Sequence, residues 1–184
     1  YREPFRGRKR AAILLVSKAP AVLSREAEER IIQRLKPLPQ QCVCFSSLAY
    51  EEIRGLDPAL PAPALDRETH VLLVTGIARP GPFLSHVRRI TPHVQHLKYP
   101  DHHSFTLKNI AKIAEVFERI DSGNKMILTT EKDAARLSAP GLKDVMCRLP
   151  VFYWPVRIQI HGPGKDRFDK RILDYVGSGS GFHR

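Results

Sequence analysis

The sequence predicts an α/β fold with a mostly parallel sheet and flanking helices. Short apolar runs of the kind found in buried strands alternate along the chain with amphipathic helical segments. This alternation is typical of βαβ units, in which a helix carries the chain back so that successive strands run parallel. Hydrophobic residues make up 42% and charged residues 27% of the 184 residues, a composition that predicts a globular chain with a core of its own.

The first part of the chain contains two predicted strands and one helix. Ala11 to Val16 is an uninterrupted apolar run, which predicts a strand buried on both faces. Ser24 is placed to cap a helix that ends near Leu35. Gln41 to Ser46 predicts the second strand. Three prolines then fall within residues 57–63, and this composition predicts a semi-rigid linker.

After the linker the alternation of strands and helices resumes. Thr106 and Thr130 are placed as N-caps of two of the helices, with Phe105 and Ile110 forming a hydrophobic staple around Thr106. The predicted strands are His70 to Thr75, His93 to Lys98 and Lys125 to Thr129, with an extended segment from Val151 to Ile160. The predicted helices run from Pro82 to Ile90, from Thr106 through Ile120, onward from Thr130, and from Arg167 to Val176.

These elements predict a division of the chain at the proline-rich segment. Residues 1–56 form one part, residues 57–69 the linker, and residues 70–176 a small α/β domain. Residues 177–184 are rich in glycine and serine and predict a flexible tail. The chain begins with tyrosine rather than methionine, and we interpret it as a portion of a longer protein.

The composition narrows the classes of partner. The net charge is +11 and the pI about 9.9, which favours polyanions such as phosphorylated substrates, anionic lipid or nucleic acid. An aromatic RNP-like strand, a GXXG loop and a paired Cys/His finger are all missing from the sequence, which argues against nucleic acid. The longest apolar run has six residues and is too short for a transmembrane helix. Three cysteines without a C-x-x-C pair favour a reducing compartment.

Three loops at the ends of predicted strands carry polar residues: residues 75–80, 99–103 and 129–133. Ligands bind at the carboxyl ends of strands in parallel sheets, so these loops are the candidate site. The chain has one Gly-Lys pair, Gly164-Lys165, and Asp166 follows it where a phosphate-binding loop needs Ser or Thr. The sequence therefore predicts no phosphate-binding loop of its own and no metal-ligand set.

Each loop has a chemical interpretation and a plainer one. Asp101 beside His102 and His103 is able to orient a base, and at most one of the two histidines is expected to face the site; the alternative is a loop that merely enters a helix. The guanidinium of Arg79 suits a phosphate, or is an ordinary surface cation. Lys132 lies near the positive end of a helix, or belongs to an ordinary N-cap.

Five strings of residues, in this order, resemble a known family. They are Arg2-Glu3-Pro4, Arg10 to Lys18, Val74 to Pro80, Tyr99 to Thr106 without Ser104, and Ile127 to Leu137 without Ala135. Together they look like the C-terminal half of the tetraacyldisaccharide 4'-kinases, the lipid A 4'-kinases of Gram-negative bacteria, and most like the Bacteroidetes branch. The resemblance runs from Arg2 to about Val176.

The resemblance implies a P-loop-kinase-related fold and a lipid kinase activity. Such enzymes transfer a phosphoryl group from ATP, with magnesium, to the 4'-hydroxyl of tetraacyldisaccharide 1-phosphate. It further implies a peripheral location at the cytoplasmic face of the bacterial inner membrane, beside an anionic membrane surface. Residues 1–56 would be the C-terminal remnant of the P-loop core, and the expected partner is the N-terminal half of the same protein, with no nucleic acid.

The resemblance also assigns residues. Arg2 and Glu3 match the motif on the nucleotide and metal side of the cleft, and Asp101 and His102 match the Asp-His motif, whose histidine partners the catalytic aspartate. Arg79 and the set Glu131, Lys132 and Asp133 match motifs of the C-terminal domain. Arg79, Glu131 and Lys132 are the expected substrate-binding residues, and a contact between domains is the alternative. The family's Walker A loop and catalytic aspartate are not among these 184 residues, so ATP and magnesium are expected to bind mainly elsewhere, and the chain alone is expected to be inactive.

Two other functions remain open from the residues alone. A basic α/β module that binds nucleic acid explains the charge equally well. A non-catalytic domain that regulates or packs against another domain explains the fold.

Overall fold

The computed structural model describes residues 4–162 and 164–179. The predicted cofactor-binding residues Arg2 and Glu3 lie outside these ranges. A 3-10 helix, Phe5–Arg10, precedes the first strand. The strands are β1 (Ile13–Val16), β2 (Cys42–Tyr50), β3 (Arg54–Gly55), β4 (His70–Thr75), β5 (Val94–Lys98), β6 (Lys125–Thr130), β7 (Val151–Trp154) and β8 (Val156–Ile160). The helices are α1 (Arg25–Leu35), α2 (Gly81–Arg88), α3 (Leu107–Glu118), α4 (Glu131–Leu137), α5 (Lys143–Met146) and α6 (Gly164–Gly179).

These elements form two compact units. The first contains the described residues of 1–49 and 157–184, and the second contains residues 50–156. Helices and strands alternate in both, and both contain parallel strand pairs. The predicted α/β class is therefore confirmed.

The first unit has a three-stranded sheet in the order β1-β2-β8. β1 and β2 are parallel, with Ile13 opposite Cys42. As predicted, Ser24 caps α1 by accepting a hydrogen bond from the backbone N–H of Ala27. The prediction that the first strand is buried on both faces is wrong: β1 lies at the edge of its sheet, and the side chain of Leu15 is 42% exposed.

The second unit has a five-stranded sheet in the order β3-β7-β6-β4-β5. β7, β6, β4 and β5 are parallel, and the two-residue β3 pairs antiparallel with β7. The interior strand β4 is buried on both faces, as its apolar sequence predicts. Leu72 and Val74 pack with the helix α3 on one face, while Val71 and Leu73 pack with the helix α2 on the other. Successive side chains of a strand point to opposite faces, so one apolar run serves both cores.

The boundary between the units differs from the predicted division. The proline-rich segment lies inside the second unit, where Leu56 is buried and Leu60 and Leu65 pack against the core. Apolar residues among the prolines anchor this segment instead of leaving it as a linker. α6 belongs to the first unit, because β8 returns the chain to the sheet beside β2. The helix also continues to Gly179, past residue 177, where the tail was predicted to begin.

Within residues 4–162 and 164–179, no helix combines the length and apolar character needed to cross a bilayer.

Candidate active site

The candidate site lies at one edge of the sheet in the second unit. β4 lies between β5 and β6 and runs parallel to both, so the carboxyl ends of the three strands meet at this edge. The loops that follow them are the three that the sequence analysis selected.

A buried carboxylate organises this edge. The side chain of Asp133, near the start of α4, is fully buried. The hydroxyl of Thr130, the N-cap of α4, accepts from the backbone N–H of Asp133 at 3.2 Å and donates to its Oδ2 at 2.8 Å. The backbone N–H of Gly76 donates to the same oxygen at 2.9 Å. A buried charge is tolerated when it is hydrogen-bonded in this way.

Arg136 completes the partners of Asp133. Its Nη1 donates to Asp133 Oδ1 at 2.8 Å and to the carbonyl oxygen of Gly76 at 2.9 Å. Aspartate and arginine three residues apart lie on the same side of a helix, so α4 presents both toward the loop after β4. The arginine side chain is 26% exposed, so it is not fully enclosed by these partners.

The close approach of the backbone at residue 76 to Asp133 and Arg136 requires a glycine. A Cβ at residue 76 would lie 3.1 Å from Asp133 Oδ1 and 3.3 Å from His103 Cβ. The glycine lets the backbone lie directly against the carboxylate and the guanidinium.

His102 is joined to the same network. Its backbone N–H donates to the carbonyl of Gly76 at 3.1 Å and to Asp101 Oδ1 at 3.0 Å. Its ring Nδ1 lies 3.3 Å from Nη2 of Arg136, and its Nε2 lies 3.8 Å from Asp101 Oδ2. The side chain is 84% exposed and the backbone is left-handed, with φ of 56°.

The structure distinguishes the two adjacent histidines. The ring of His103 is stacked on Tyr99 at 4.7 Å and packs edge-on against Phe105 at 5.0 Å. Its Nε2 lies 3.1 Å from Oδ1 of Asn109, an oxygen that can only accept, so Nε2 donates. His103 is therefore a packing residue, and His102 is the histidine open to a ligand. Burial raises the pKa of Tyr99 above its ordinary value of 10, so this phenol stays neutral.

The three predicted substrate-binding residues lie at the same edge. Arg79 is in the loop after β4, and Glu131 and Lys132 are the first two residues of α4. All three are exposed and lie outside the network around Asp133. Among residues 4–162 and 164–179, no three histidine, cysteine or acidic side chains are grouped to hold a metal ion.

Arg136 is the residue of this edge that the sequence analysis did not select as a site residue. Its signal was present in the sequence: Asp133 and Arg136 are three residues apart on a capped helix that follows a buried strand. The sequence does not show which loop of the fold faces Asp133 and Arg136.

Known proteins of one family are similar to this chain along most of its length. The family described as "LpxK: Tetraacyldisaccharide-1-P 4'-kinase" matches residues 1–176. A curated tetraacyldisaccharide 4'-kinase of Phocaeicola vulgatus is 32% identical over 178 residues, which cover 95% of this chain and 49% of that protein. One from Bacteroides thetaiotaomicron is 33% identical over 186 residues, with 95% and 49% coverage. One from Parabacteroides distasonis is 38% identical over 141 residues, with 74% and 38% coverage.

A solved structure is also similar to this chain. It is the crystal structure of LpxK from Aquifex aeolicus in complex with ATP, with a TM-score of 0.49 and 17% identity, covering 88% of this chain and 51% of that one. This chain spans about half the length of the curated relatives it matches, and it matches their C-terminal half.

Proposed function

This chain belongs to the tetraacyldisaccharide-1-P 4'-kinase family, and we propose that it supplies the C-terminal half of an enzyme that phosphorylates the 4'-hydroxyl of tetraacyldisaccharide 1-phosphate with ATP. The observation that carries the proposal is the family match over residues 1–176, joined by relatives of the same name that align with 95% of the chain. The product would serve lipid A biosynthesis.

We assign the catalytic role to His102, supported by Asp101. The imidazole of His102 is open to solvent, and its residue is held by Asp101, Arg136 and the carbonyl of Gly76, so the ring can meet a reacting group carried by another segment. A histidine in hydrogen-bond reach of a carboxylate or hydroxyl can orient it and exchange a proton with it. Asp101 accepts from the backbone N–H of His102 and so stabilises the loop in its left-handed turn.

We assign substrate binding to Arg79, Lys132 and Glu131. The two cations lie at the edge where His102 is exposed, and they suit the phosphate of the lipid substrate. Glu131 is suited to accept hydrogen bonds from sugar hydroxyls.

The binding of ATP and magnesium is assigned mainly to residues outside this chain. The described residues do not fit a metal ion, since they bring together no three suitable ligands. We therefore propose that both bind mainly through the half of the relatives that this chain does not match, with Arg2 and Glu3 as the contribution of this chain. By the same reasoning the 184-residue chain assayed alone transfers no phosphoryl group.

We further propose that the first unit packs against that other half. The support is apolar surface in this unit: Leu15 on the edge strand β1 is 42% exposed, and Leu173 and Tyr175 on α6 are 68% and 79% exposed. Large apolar side chains left exposed in this way are typical of a surface that another domain covers.

A chimeric kinase tests the catalytic proposal. The N-terminal half of the Phocaeicola vulgatus relative is joined to this chain, and phosphorylation of tetraacyldisaccharide 1-phosphate by ATP is measured. We expect His102→Ala to lower kcat by about 100-fold or more. His93→Ala, at the opposite edge of the sheet, is the matched control and leaves kcat unchanged. An active chimera in which H102A has no effect would reject the assignment of His102.

We also propose that the chain acts beside an anionic membrane surface, as expected for a protein at the cytoplasmic face of the inner membrane, and vesicle binding tests its affinity for such a surface. With a net charge of +11, the chain is expected to co-sediment with vesicles of phosphatidylglycerol carrying tetraacyldisaccharide 1-phosphate, and to be released by high salt. Phosphatidylcholine vesicles are the control. Tighter binding to duplex DNA than to the anionic vesicles would instead favour the nucleic-acid-binding alternative.

A further inference from the structure

We infer that Arg136 is a positioning residue, which holds the ring of His102 with Nδ1 as a hydrogen-bond acceptor and thereby leaves the ring proton on Nε2. The inference deepens the proposed function, because it names the residue that prepares the proposed catalytic histidine. Which ring nitrogen of His102 carries the proton can be measured without any assay of phosphoryl transfer.

The first step is that Arg136 is itself held rigidly. Nη1 donates to both Asp133 Oδ1 and the carbonyl of Gly76, at 2.8 and 2.9 Å. Asp133 is fully buried, and its other oxygen is occupied by Thr130 and the backbone of Gly76. These contacts fix the plane of the guanidinium, so the position of Nη2 is also fixed.

The second step concerns the direction of the hydrogen bond to His102. The guanidinium of arginine is always protonated in proteins and has no acceptor. At 3.3 Å from Nδ1 of His102, Nη2 can only donate, so Nδ1 offers its lone pair. A neutral imidazole carries one proton, which must then be on Nε2. Nε2, on the far side of the ring, is therefore a hydrogen-bond donor.

The third step is that the backbone of His102 is fixed by the same group of residues. The carbonyl of Gly76 accepts from both Arg136 Nη1 and the backbone N–H of His102. His102 has a φ of 56°, a conformation that is unfavourable for a non-glycine residue and persists where surrounding contacts enforce it. Arg136 therefore constrains His102 at two points, the backbone through Gly76 and the ring through Nδ1.

A purely structural role for Arg136 makes different predictions. If the arginine served only to neutralise Asp133, lysine would replace it fully, and the His102 ring would not respond to the substitution. A lysine carries the charge as a single point without the planar fork. It can bond to Asp133 and Gly76, but it cannot at the same time present a second, fixed donor to Nδ1.

The decisive measurement is ¹⁵N NMR of the histidine rings in the 184-residue chain at neutral to alkaline pH. In the unsubstituted chain we expect His102 as the Nε2–H tautomer. In R136Q and R136K we expect the His102 nitrogen signals to shift toward the mixture of tautomers seen in a free imidazole. R119Q, which removes an arginine paired with a glutamate on α3, is the matched control and leaves His102 unchanged. A proton on Nδ1 in the unsubstituted chain, or unchanged His102 signals in both Arg136 variants, would overturn the inference.

Kinetics in the chimeric kinase provide the second measurement. We expect R136Q to lower kcat by about 10- to 100-fold with the KM values of both substrates unchanged, because the geometry of a reacting group is lost while binding is kept. The kcat of R136K should lie between those of R136Q and the unsubstituted protein, since the lysine retains Asp133 as a partner and so retains the fold. Full activity of R136Q would contradict a positioning role. If H102A is without effect while the NMR response to R136Q is present, the proposed function fails and the positioning of His102 stands.

Discussion

At the scale of single residues, the backbone of Gly76 joins two parts of the candidate site. Its N–H donates to Asp133, and its carbonyl accepts from Arg136 and from the backbone of His102. α4 and the loop after β5 are thus connected through one residue without a side chain. Any side chain there would separate the carboxylate from the backbone N–H that partly satisfies it.

Gly76→Ala is expected to destabilise the protein by about 1–3 kcal/mol, because the added methyl would lie 3.1 Å from Asp133 Oδ1 and 3.3 Å from His103 Cβ. The free energy of unfolding in urea gives the measurement. Gly81→Ala is the matched control, since a Cβ on Gly81 would meet nothing within 4 Å. Equal stability of the two variants would show that the close approach at Gly76 is absent.

At the scale of elements, two of the loops that hold the site lead into helices whose first turn is capped by a hydroxyl. Thr106 and Asn109 form a reciprocal capping box at the start of α3, and Thr130 caps α4. These caps satisfy backbone N–H groups that have no partner inside the helix. They also fix where the loops after β5 and β6 end, which places His102 and Arg136 within reach of each other.

Thr106→Ala is expected to lower the free energy of unfolding by about 1 kcal/mol, because the N3 backbone N–H loses its acceptor. Thr106→Ser keeps the hydroxyl and should remain within about 0.5 kcal/mol of the unsubstituted protein. Thermal or urea unfolding measures both. Indistinguishable T106A and T106S proteins would contradict a stabilising cap.

His96, on β5 beside Thr75 of β4, predicts that the stability of the protein depends on pH. Burial, and then the positive charges of Lys98 and Arg88, lower the pKa of His96 below its ordinary value of 6.5. The unfolded chain therefore binds the proton more readily than the native chain. This contribution to stability is complete above about pH 6.5 and is lost as the pH falls from there toward the lower native pKa.

Unfolding in urea at a series of pH values tests this dependence. His96→Gln should make the decline in unfolding free energy below about pH 6.5 shallower than in the unsubstituted protein. His96 Nε2 lies 2.8 Å from the hydroxyl of Thr75, and the glutamine amide is able to keep a hydrogen bond there. An identical slope in the variant would show that His96 is not responsible.

At the scale of the whole molecule, the two units differ in how many segments of the chain form them. The second unit is one continuous segment, residues 50–156, with apolar clusters on both faces of its sheet. The first unit is assembled from two segments that are distant in sequence, and four of the large apolar side chains of α6 are exposed.

A polypeptide of residues 50–156 is therefore expected to fold on its own. It should unfold in one cooperative transition and retain the near-ultraviolet circular dichroism of a packed core. A peptide of residues 1–49 lacks β8 and α6 and should lack such a transition. Failure of residues 50–156 to fold would show that its clusters depend on the rest of the chain.

The pattern of residues was enough to predict the α/β class, the helix caps, the bounds of β4 and the three loops that hold the candidate site. These features are local: apolar periodicity, capping residues and strand ends are determined by neighbours in the sequence. It also contained the strings that match the kinase family, from which His102 and Asp101 were selected.

The folded structure was needed to show how distant segments meet. It placed α6 with the first unit, anchored the proline-rich segment inside the second, exposed one face of β1, and brought Arg136 to the ring of His102. These outcomes depend on which strands pair and which residues their loops bring together. His102 and Arg136 are 34 positions apart in the sequence, and a helix and a strand lie between them. Their contact follows from the order β6-β4-β5, which apolar periodicity alone does not specify.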